Sequence, residues 1–225
     1  MFNKIAEKYD LLNNLMTFGL HKKWKEEAIK LALKEKKNPE NVLDICSGTG
    51  DLAIIIKKLY PDIKNTKITC IDNSSEMVRI AEKKFKTLEI NNINILLSSF
   101  EDLSKNSSYD LITIGFGLRN LIDKEAAIEK IYDLLNTGGI FACIDLGHPN
   151  NIIWQKLFFF YFFKIVPKLG AIFARDKEAY TYLPASLMSW YKQEELKNII
   201  LKKGFQKCYF KNILGGAVAI HVAVK

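Results

Sequence analysis

A chain of 225 residues, 48% hydrophobic and 26% charged, is long enough to bury a sizeable core and too balanced in composition to be disordered or fibrous. Its net charge of +8 points to an acidic partner, whether membrane headgroups, nucleic acid or an anionic substrate, with a solvated surface of scattered lysines as the bland alternative. Cys46, Cys70, Cys143 and Cys208 lie far apart without metal-ligand spacing, so buried free thiols in a reducing cytoplasm are expected, and the charged, amphipathic N-terminus does not read as a signal peptide.

Residues 1–16 read as a helix with Phe2, Ile5, Tyr9, Leu12 and Leu15 or Met16 on one face, and Gly19 breaks it. A second helix is predicted from about His21 to Lys36 on an apolar stripe of Trp24, Ala28, Leu31 and Ala32. Both precede the first strand, so they form an N-terminal cover that could close a site from water. Tyr9, Asp10, Asn13, His21 and Trp24 give this cover an unusual polar and aromatic set.

Val42–Cys46 is a short apolar run carrying one acid, Asp44, and it reads as a buried strand. Ser47, Gly48, Thr49 and Gly50 make a loop of small residues, and Asp51 is placed to cap the helix that follows over Leu52–Leu59. Glycine lets a ligand approach the backbone there, and the helix N-terminus offers free N–H groups. A dinucleotide site would place a third glycine in phase, and this loop has none. Asp44 would repel a phosphate but suits the sulfonium and amino group of S-adenosyl-L-methionine. Asp72, at the end of the next strand, is where an acid takes two ribose hydroxyls.

From Val42 onward strand and helix alternate. Strands are predicted at Val42–Cys46, Lys67–Ile71, Ile93–Ser98, Leu111–Gly115 and Gly139–Asp145, with helices at Leu52–Leu59, Ser75–Phe85 and Lys124–Leu135. The pattern predicts a doubly wound, mostly parallel α/β sheet. The loops at Ser98–Asp102 and Gly115–Asn120 fall on its carboxyl edge, the first able to frame an adenine. A helix at Gln193–Lys203 and strands at Phe205–Lys211 and Ala217–Val224 add a C-terminal antiparallel hairpin, for seven strands in a Rossmann-like methyltransferase layout. His221, in the last strand, is expected to be structural.

Residues 151–173 crowd Trp154, Leu157 and a run of Phe and Tyr into a stretch too short and too broken by Gln155, Lys156, Lys164, Pro167 and Lys168 to read as a transmembrane helix. Three readings stand: a core helix, a membrane-surface helix with snorkelling lysines, or the wall of a pocket for a long apolar substrate. The whole chain reads as one domain, with residues 1–37 as the cover and 150–190 as a helical insertion facing substrate or membrane.

Several stretches together resemble the ubiquinone/menaquinone biosynthesis C-methyltransferase family. Tyr9-Asp10-Leu11-Leu12-Asn13 with Thr17, His21 and Trp24 is similar to its N-terminal signature, with Leu12 and Thr17 where the family usually has Met and Ser. Ser47–Asp51 matches its cofactor loop, and Gly115-Phe116-Gly117-Leu118-Arg119-Asn120 its most recognisable segment. Tyr180, Tyr182, Leu183, Ser186 and Gly215–His221 match its C-terminal features. Where the family commonly has Glu-x-Ser-Lys-Pro, this chain has Asp145-Leu146-Gly147-His148-Pro149.

The resemblance implies methylation of a ring carbon on a prenylated quinol, demethylmenaquinol to menaquinol first, with a benzoquinol of the ubiquinone pathway, another lipophilic acceptor and a non-catalytic cofactor-binding subunit of a quinone-synthesis complex as alternatives. It implies Asp44, Gly48, Thr49, Gly50 and Asp72 for the cofactor, with Ser99, Phe100 and Gly115 by family position. Arg119 becomes the candidate to stabilise a quinolate oxyanion, against a salt bridge that merely holds its loop. Tyr9, Asp10, His21, Asp145 and His148 are candidate bases. Expected partners are the prenylated quinol, a transient contact with a membrane surface and a second copy in a homodimer, without metal or nucleic acid; the expected location is the cytoplasm, peripheral to the inner membrane.

Overall fold

The computed structural model describes residues 2–59, 66–104, 108–168, 170 and 185–225, and side chains from residue 6 onward. Tyr180, Tyr182 and Leu183, and the side chains of Phe2 and Ile5, lie outside the described residues.

Two helices come first, α1 (Phe2–Thr17) and α2 (Leu20–Glu35). Phe18 and Gly19 turn the chain between them in left-handed conformations, φ 51° and 74°, and the Gly19 N–H closes on the Asn14 carbonyl at 2.8 Å. The sheet strands follow: β1 (Asn41–Ile45), β2 (Lys67–Asp72), β3 (Ile93–Leu97), β4 (Tyr109–Gly115), β5 (Leu135–Leu146), β6 (Lys207–Ile213) and β7 (Val218–Val224). Between them lie α3 (Asp51–Leu59), α4 (Ser75–Thr87), α5 (Lys124–Leu134), α6 (Ile152–Phe160), which runs on as a π-helical turn over Tyr161–Ile165, and α7 (Gln193–Lys202).

The strand order is β3-β2-β1-β4-β5-β7-β6. The first five are parallel, and β7 runs antiparallel to both β5 and β6. This is the seven-stranded sheet with a C-terminal hairpin that the pattern predicts. Order reverses between β1 and β4, so the crevice for a ligand opens at the carboxyl ends of those two strands.

Both faces of the sheet are covered. Val42, Ile68 and Leu111 face a core closed by α2, α3 and α4, while Leu43, Ile45, Ile112 and Ile114 face one closed by α5, α6 and α7. A fully buried Leu or Ile contributes about 1.5–3 kcal/mol, so strands covered on both sides carry apolar residues at nearly every position. Asp44 and Thr113, side by side on β1 and β4, break that rule.

β5 starts at Leu135, four residues earlier than predicted, because Leu135 pairs with Tyr109 before a register shift restores the ladder at Leu111 and Ile140. Asp51 does not serve as the predicted cap: its carboxylate is taken by Lys25 and Lys84. Residues 151–168 serve two purposes at once, with Phe158, Phe162 and Val166 in the core and Ile153, Leu157 and Phe160 outside.

Candidate active site

After β1 the chain reverses sharply into α3. Cys46, Gly48 and Gly50 all take positive φ, at 52°, 56° and 80°, and the Gly50 N–H closes the turn on the Ser47 carbonyl at 2.9 Å. A Cβ at Gly48 would meet nothing within 4 Å, so this glycine opens onto the crevice. A Cβ at Gly50 would lie 2.5 Å from the Phe85 ring, so that glycine lets α4 pack against the loop. Gly115 is similar: its Cβ would fall 3.0 Å from Leu52.

Asp72 clasps the loop. One carboxylate oxygen accepts from the Gly48 N–H at 2.8 Å, the other from the Ser74 N–H at 2.9 Å. Burial pushes its pKa up, against the pull of those two N–H groups. Each oxygen keeps a lone pair, as ribose hydroxyls require.

Asp44 is fully buried. Its Oδ1 accepts from the Thr113 hydroxyl at 2.7 Å, and its Oδ2 has no hydrogen-bond partner among the described residues. Burial raises its pKa to about 7. A buried carboxylate oxygen without a partner is costly, and it is relieved by a cationic donor brought beside it. That orphaned oxygen fits the ammonium and sulfonium of S-adenosylmethionine and would oppose a phosphate.

The N-terminal helices are tied to this loop by charge. The Thr49 hydroxyl donates to Asp10 of α1 at 2.8 Å, and Lys84 of α4 reaches Asp10 at 2.5 Å, Thr49 at 2.8 Å and Asp51 at 3.2 Å. Lys25 of α2 meets the other Asp51 oxygen at 2.8 Å. Burial pulls the Lys25 ammonium down, but Asp51 outweighs it and the net shift is upward. Asp51, despite its burial, is held well below the usual carboxylate range by Lys25 and Lys84. Thr49 thus spends its side chain on the cover.

On the other side of the crevice stands Arg119, 8% exposed. Its Nη1 donates to Asp145 Oδ1 at 2.5 Å and to the Phe116 carbonyl at 2.7 Å, and its Nε donates to Ser186 at 3.3 Å. Asp145 also accepts the Arg119 and Leu146 backbone N–H groups. Three acceptors fix the guanidinium plane. Its Nη2 makes no hydrogen bond to a described residue, which leaves it for a ligand oxygen.

The remaining predicted residues are placed as follows. Ser99 caps the turn Phe100–Asp102 and bonds the Glu101 carboxylate. The Phe100 ring is buried in the core with the Lys130 ammonium 5.2 Å above it, so only its backbone can meet an adenine. Tyr9 is half-buried on α1 and packs against the core cluster that contains Leu12 and Leu118. His21 is buried, and Thr17 has given its only proton to the Asn13 carbonyl at 2.6 Å. The 2.9 Å contact between Thr17 and His21 therefore has Nδ1 as donor, which leaves Nε2 as the acceptor. Burial, helped by Lys25, lowers the His21 pKa to about 4, so the ring is a neutral and weak base. His148 donates from Nε2 to the Trp190 carbonyl at 3.0 Å. His221 donates to the Gln193 carbonyl at 2.9 Å inside the sheet, the structural role expected of it.

Gly147 stands where the family commonly has Ser, in a tightly packed loop. A Cβ at Gly147 would sit 2.5 Å from the Gly216 carbonyl oxygen. Gln193 stitches this loop to its neighbours, donating to the carbonyls of His148 and Gly216 and to Asn212. Sequence reasoning missed Lys25, Lys84 and Gln193; their partners are 19 to 74 positions away, and no local pattern marks them.

A sheet reversing between β1 and β4, a glycine loop at the end of β1 and acids closing β1 and β2 define a class I S-adenosylmethionine-dependent methyltransferase. The ubiE/COQ5 methyltransferase family model matches residues 1–225, and the chain belongs to that family. It is 37% identical to the ubiquinone/menaquinone biosynthesis C-methyltransferase UbiE of Rickettsia bellii, a match that covers 100% of this chain and 91% of the relative. It is 35% identical to the demethylmenaquinone methyltransferase of Porphyromonas gingivalis with the same coverage. Among solved structures, the plantazolicin methyltransferase BpumL in complex with a desmethyl analogue and SAH superposes with a TM-score of 0.66 at 15% identity, covering 99% of this chain and 94% of that one. A SAM-dependent methyltransferase from Thermotoga maritima gives 0.65 at 17% identity, covering 100% of both. These two show the shared fold.

Proposed function

We propose that the chain methylates a ring carbon of a prenylated quinol, demethylmenaquinol to menaquinol first, with a benzoquinol of the ubiquinone pathway as the second acceptor to test. The names of the relatives from Rickettsia bellii and Porphyromonas gingivalis favour this acceptor class. The observation that carries it is Arg119: a buried guanidinium, oriented by Asp145, Phe116 and Ser186, whose chain neighbour Leu118, and Leu187 next to Ser186, belong to a buried apolar cluster that also holds Leu12, Phe158 and Phe162. A quinolate needs one fixed cation next to apolar walls.

When bound, S-adenosylmethionine supplies an electrophilic methyl group on sulfur. Asp44, Gly48 and Asp72 would hold it at the carboxyl ends of β1 and β2. Arg119 stabilises the quinolate oxygen and so favours loss of the phenolic proton, and it is the deprotonated ring whose carbon is electron-rich enough to take the methyl group. The methyl group the cofactor would supply would go to the ring carbon, and the proton on that carbon would leave to His21 Nε2 or to water. Helices α1 and α2, tied down through Asp10 and Lys25, exclude bulk water. Four free thiols suit action in the cytoplasm.

The test uses the purified chain with radiolabelled methyl donor and two reduced acceptors, a demethylmenaquinol and a benzoquinol lacking the ring methyl. Label in the naphthoquinol alone supports the menaquinone step, and label in both supports a dual role. Label in neither, with cofactor bound tightly, overturns the quinol reading.

A further inference from the structure

We propose that the outer face of α6 and its π-helical continuation docks on an anionic lipid bilayer, lying in its surface. The proposal goes beyond the acceptor assignment and does not depend on it.

The face is laid out by helical angle. Phe158, Phe162 and Val166 share the inner side and are buried. Ile153, Leu157 and Phe160 share the outer side, 68%, 56% and 61% exposed, with Ile152 also 68% exposed at the helix start. Lys156 borders this apolar stripe and Lys164 continues its line one turn beyond Phe160; both are exposed. Trp154 and Tyr161, seven residues apart, lie on one flank, where amphipathic rings meet a membrane interface.

Two contacts bring further exposed apolar side chains alongside. The Trp154 indole donates to the Leu214 carbonyl at 2.8 Å, and the Leu214 side chain projects from the β6–β7 turn at 48% exposure. The Tyr161 hydroxyl donates to the Met16 carbonyl at 2.8 Å, two residues from Phe18, which is 85% exposed at the α1–α2 turn. The α1–α2 and β6–β7 turns, each carrying an exposed apolar residue, are thus both tied to the Trp154–Tyr161 flank of the helix. A patch gathered in this way marks an interaction site.

Charge selects the occupant. No acid occurs between Asp145 and Asp176, while Lys156, Lys164, Lys168 and Arg175 do. A two-fold interface centred on this helix would bring the exposed Lys156 and Lys164 of two copies together with no acid on the helix to neutralise them, on a chain already at +8. An anionic bilayer accepts both the apolar stripe and the lysine flank. Among the described residues no helix is long and apolar enough to cross a membrane, so the helix lies on the surface. The inner side of the same helix, Phe158 and Phe162, belongs to the buried cluster that contains Leu118, the chain neighbour of Arg119.

The experiment is vesicle co-sedimentation of the full chain, without cofactor or acceptor, on phosphatidylcholine alone and on phosphatidylcholine with phosphatidylglycerol. Binding to the anionic vesicles, weakened by salt, is expected. The pair Leu157→Glu and Phe160→Glu should abolish it, and the pair Lys156→Glu and Lys164→Glu should weaken it by about tenfold or more. Thermal melts and S-adenosylhomocysteine binding should match the parent chain, since all four positions are exposed. Equal binding to both vesicle types, no binding, or binding indifferent to these substitutions overturns the proposal. So does a dimer in sedimentation that Leu157→Glu with Phe160→Glu dissociates, which would make a second copy the occupant. Quinol methylation is read separately, so failure here leaves that reading standing.

Discussion

Arg119 and Asp145 face each other as an ion pair at 2.5 Å, both nearly sealed from solvent. A buried pair of this kind does little for stability against an apolar replacement, but removing one partner strands the other charge, at about 3–5 kcal/mol. Asp145, at the end of β5, takes the backbone N–H of Arg119 as well as its side chain, so the loop after β4 and the guanidinium are oriented together.

Arg119→Ala should therefore lose both stability and turnover. The expected losses are a melting temperature lowered by about 3 kcal/mol equivalent or more, and kcat/KM lowered at least ~100-fold with cofactor affinity retained. Asp145→Asn separates the roles. It frees the guanidinium without removing it, so stability should fall while part of the turnover survives. Equal activity in Arg119→Ala and the parent, measured on protein still folded, would reduce Arg119 to a loop anchor.

Asp44 gives a pH prediction. In the native chain burial holds its carboxyl protonated up to about pH 7, against 3.8 for an ordinary aspartate. The native state then binds the extra proton, so this group's stabilising contribution is fully present below about pH 4, declines as pH rises, and is gone above about 7. Asp44→Asn should flatten that decline and stabilise the ligand-free protein at pH 8 by up to ~4 kcal/mol. It should also weaken S-adenosylmethionine binding at least ~10-fold. Thermal melts at pH 5 and 8, with calorimetry at pH 8, check both; an unchanged pH slope would refute the assignment.

The Asp10 latch is electrostatic and partly exposed, so its effect on global stability should be small, below ~1 kcal/mol. Asp10→Asn should instead speed amide hydrogen exchange in α1 and raise the KM for the methyl donor. Unaltered exchange would mean that Leu12 and its apolar neighbours hold the helix alone.

Gly48 faces open crevice at φ 56°. Gly48→Ala should cost about 1–2 kcal/mol in backbone strain and place a methyl group where the ligand approaches. Cofactor affinity should fall more than the melting temperature predicts. If affinity holds, the ligand does not pass over this glycine.

Much of the cofactor half was legible in the sequence because it is local. Asp44, Gly48 and Gly50 span seven positions, Asp72 closes the next strand, and strand-helix alternation alone demands a parallel sheet with its crevice at those ends. Even so, the three glycines proved different: a Cβ at Gly48 would meet open space, whereas Gly50 and Gly115 make room for Phe85 and Leu52. Spacing does not distinguish them, since the deciding neighbours come from other segments.

What only the tertiary structure decided is what depends on distant partners. Lys25 and Lys84 read as ordinary surface lysines, and they became anchors because the fold carries them to Asp51, 26 and 33 residues away. Asp51 looked like a cap and was claimed by those cations instead. The aromatic run after Asn151 is apolar on nearly every side, so its periodicity could not choose an inner face. Packing against the cluster of Leu12, Leu187 and Trp190 chose it, burying Phe158 and Phe162 and leaving Leu157 and Phe160 outside. The sequence determined the sheet and the cofactor loop through short-range pattern; the closing of the cover, the orientation of Arg119 and the face left to the outside were set by contacts that exist only once the chain is folded.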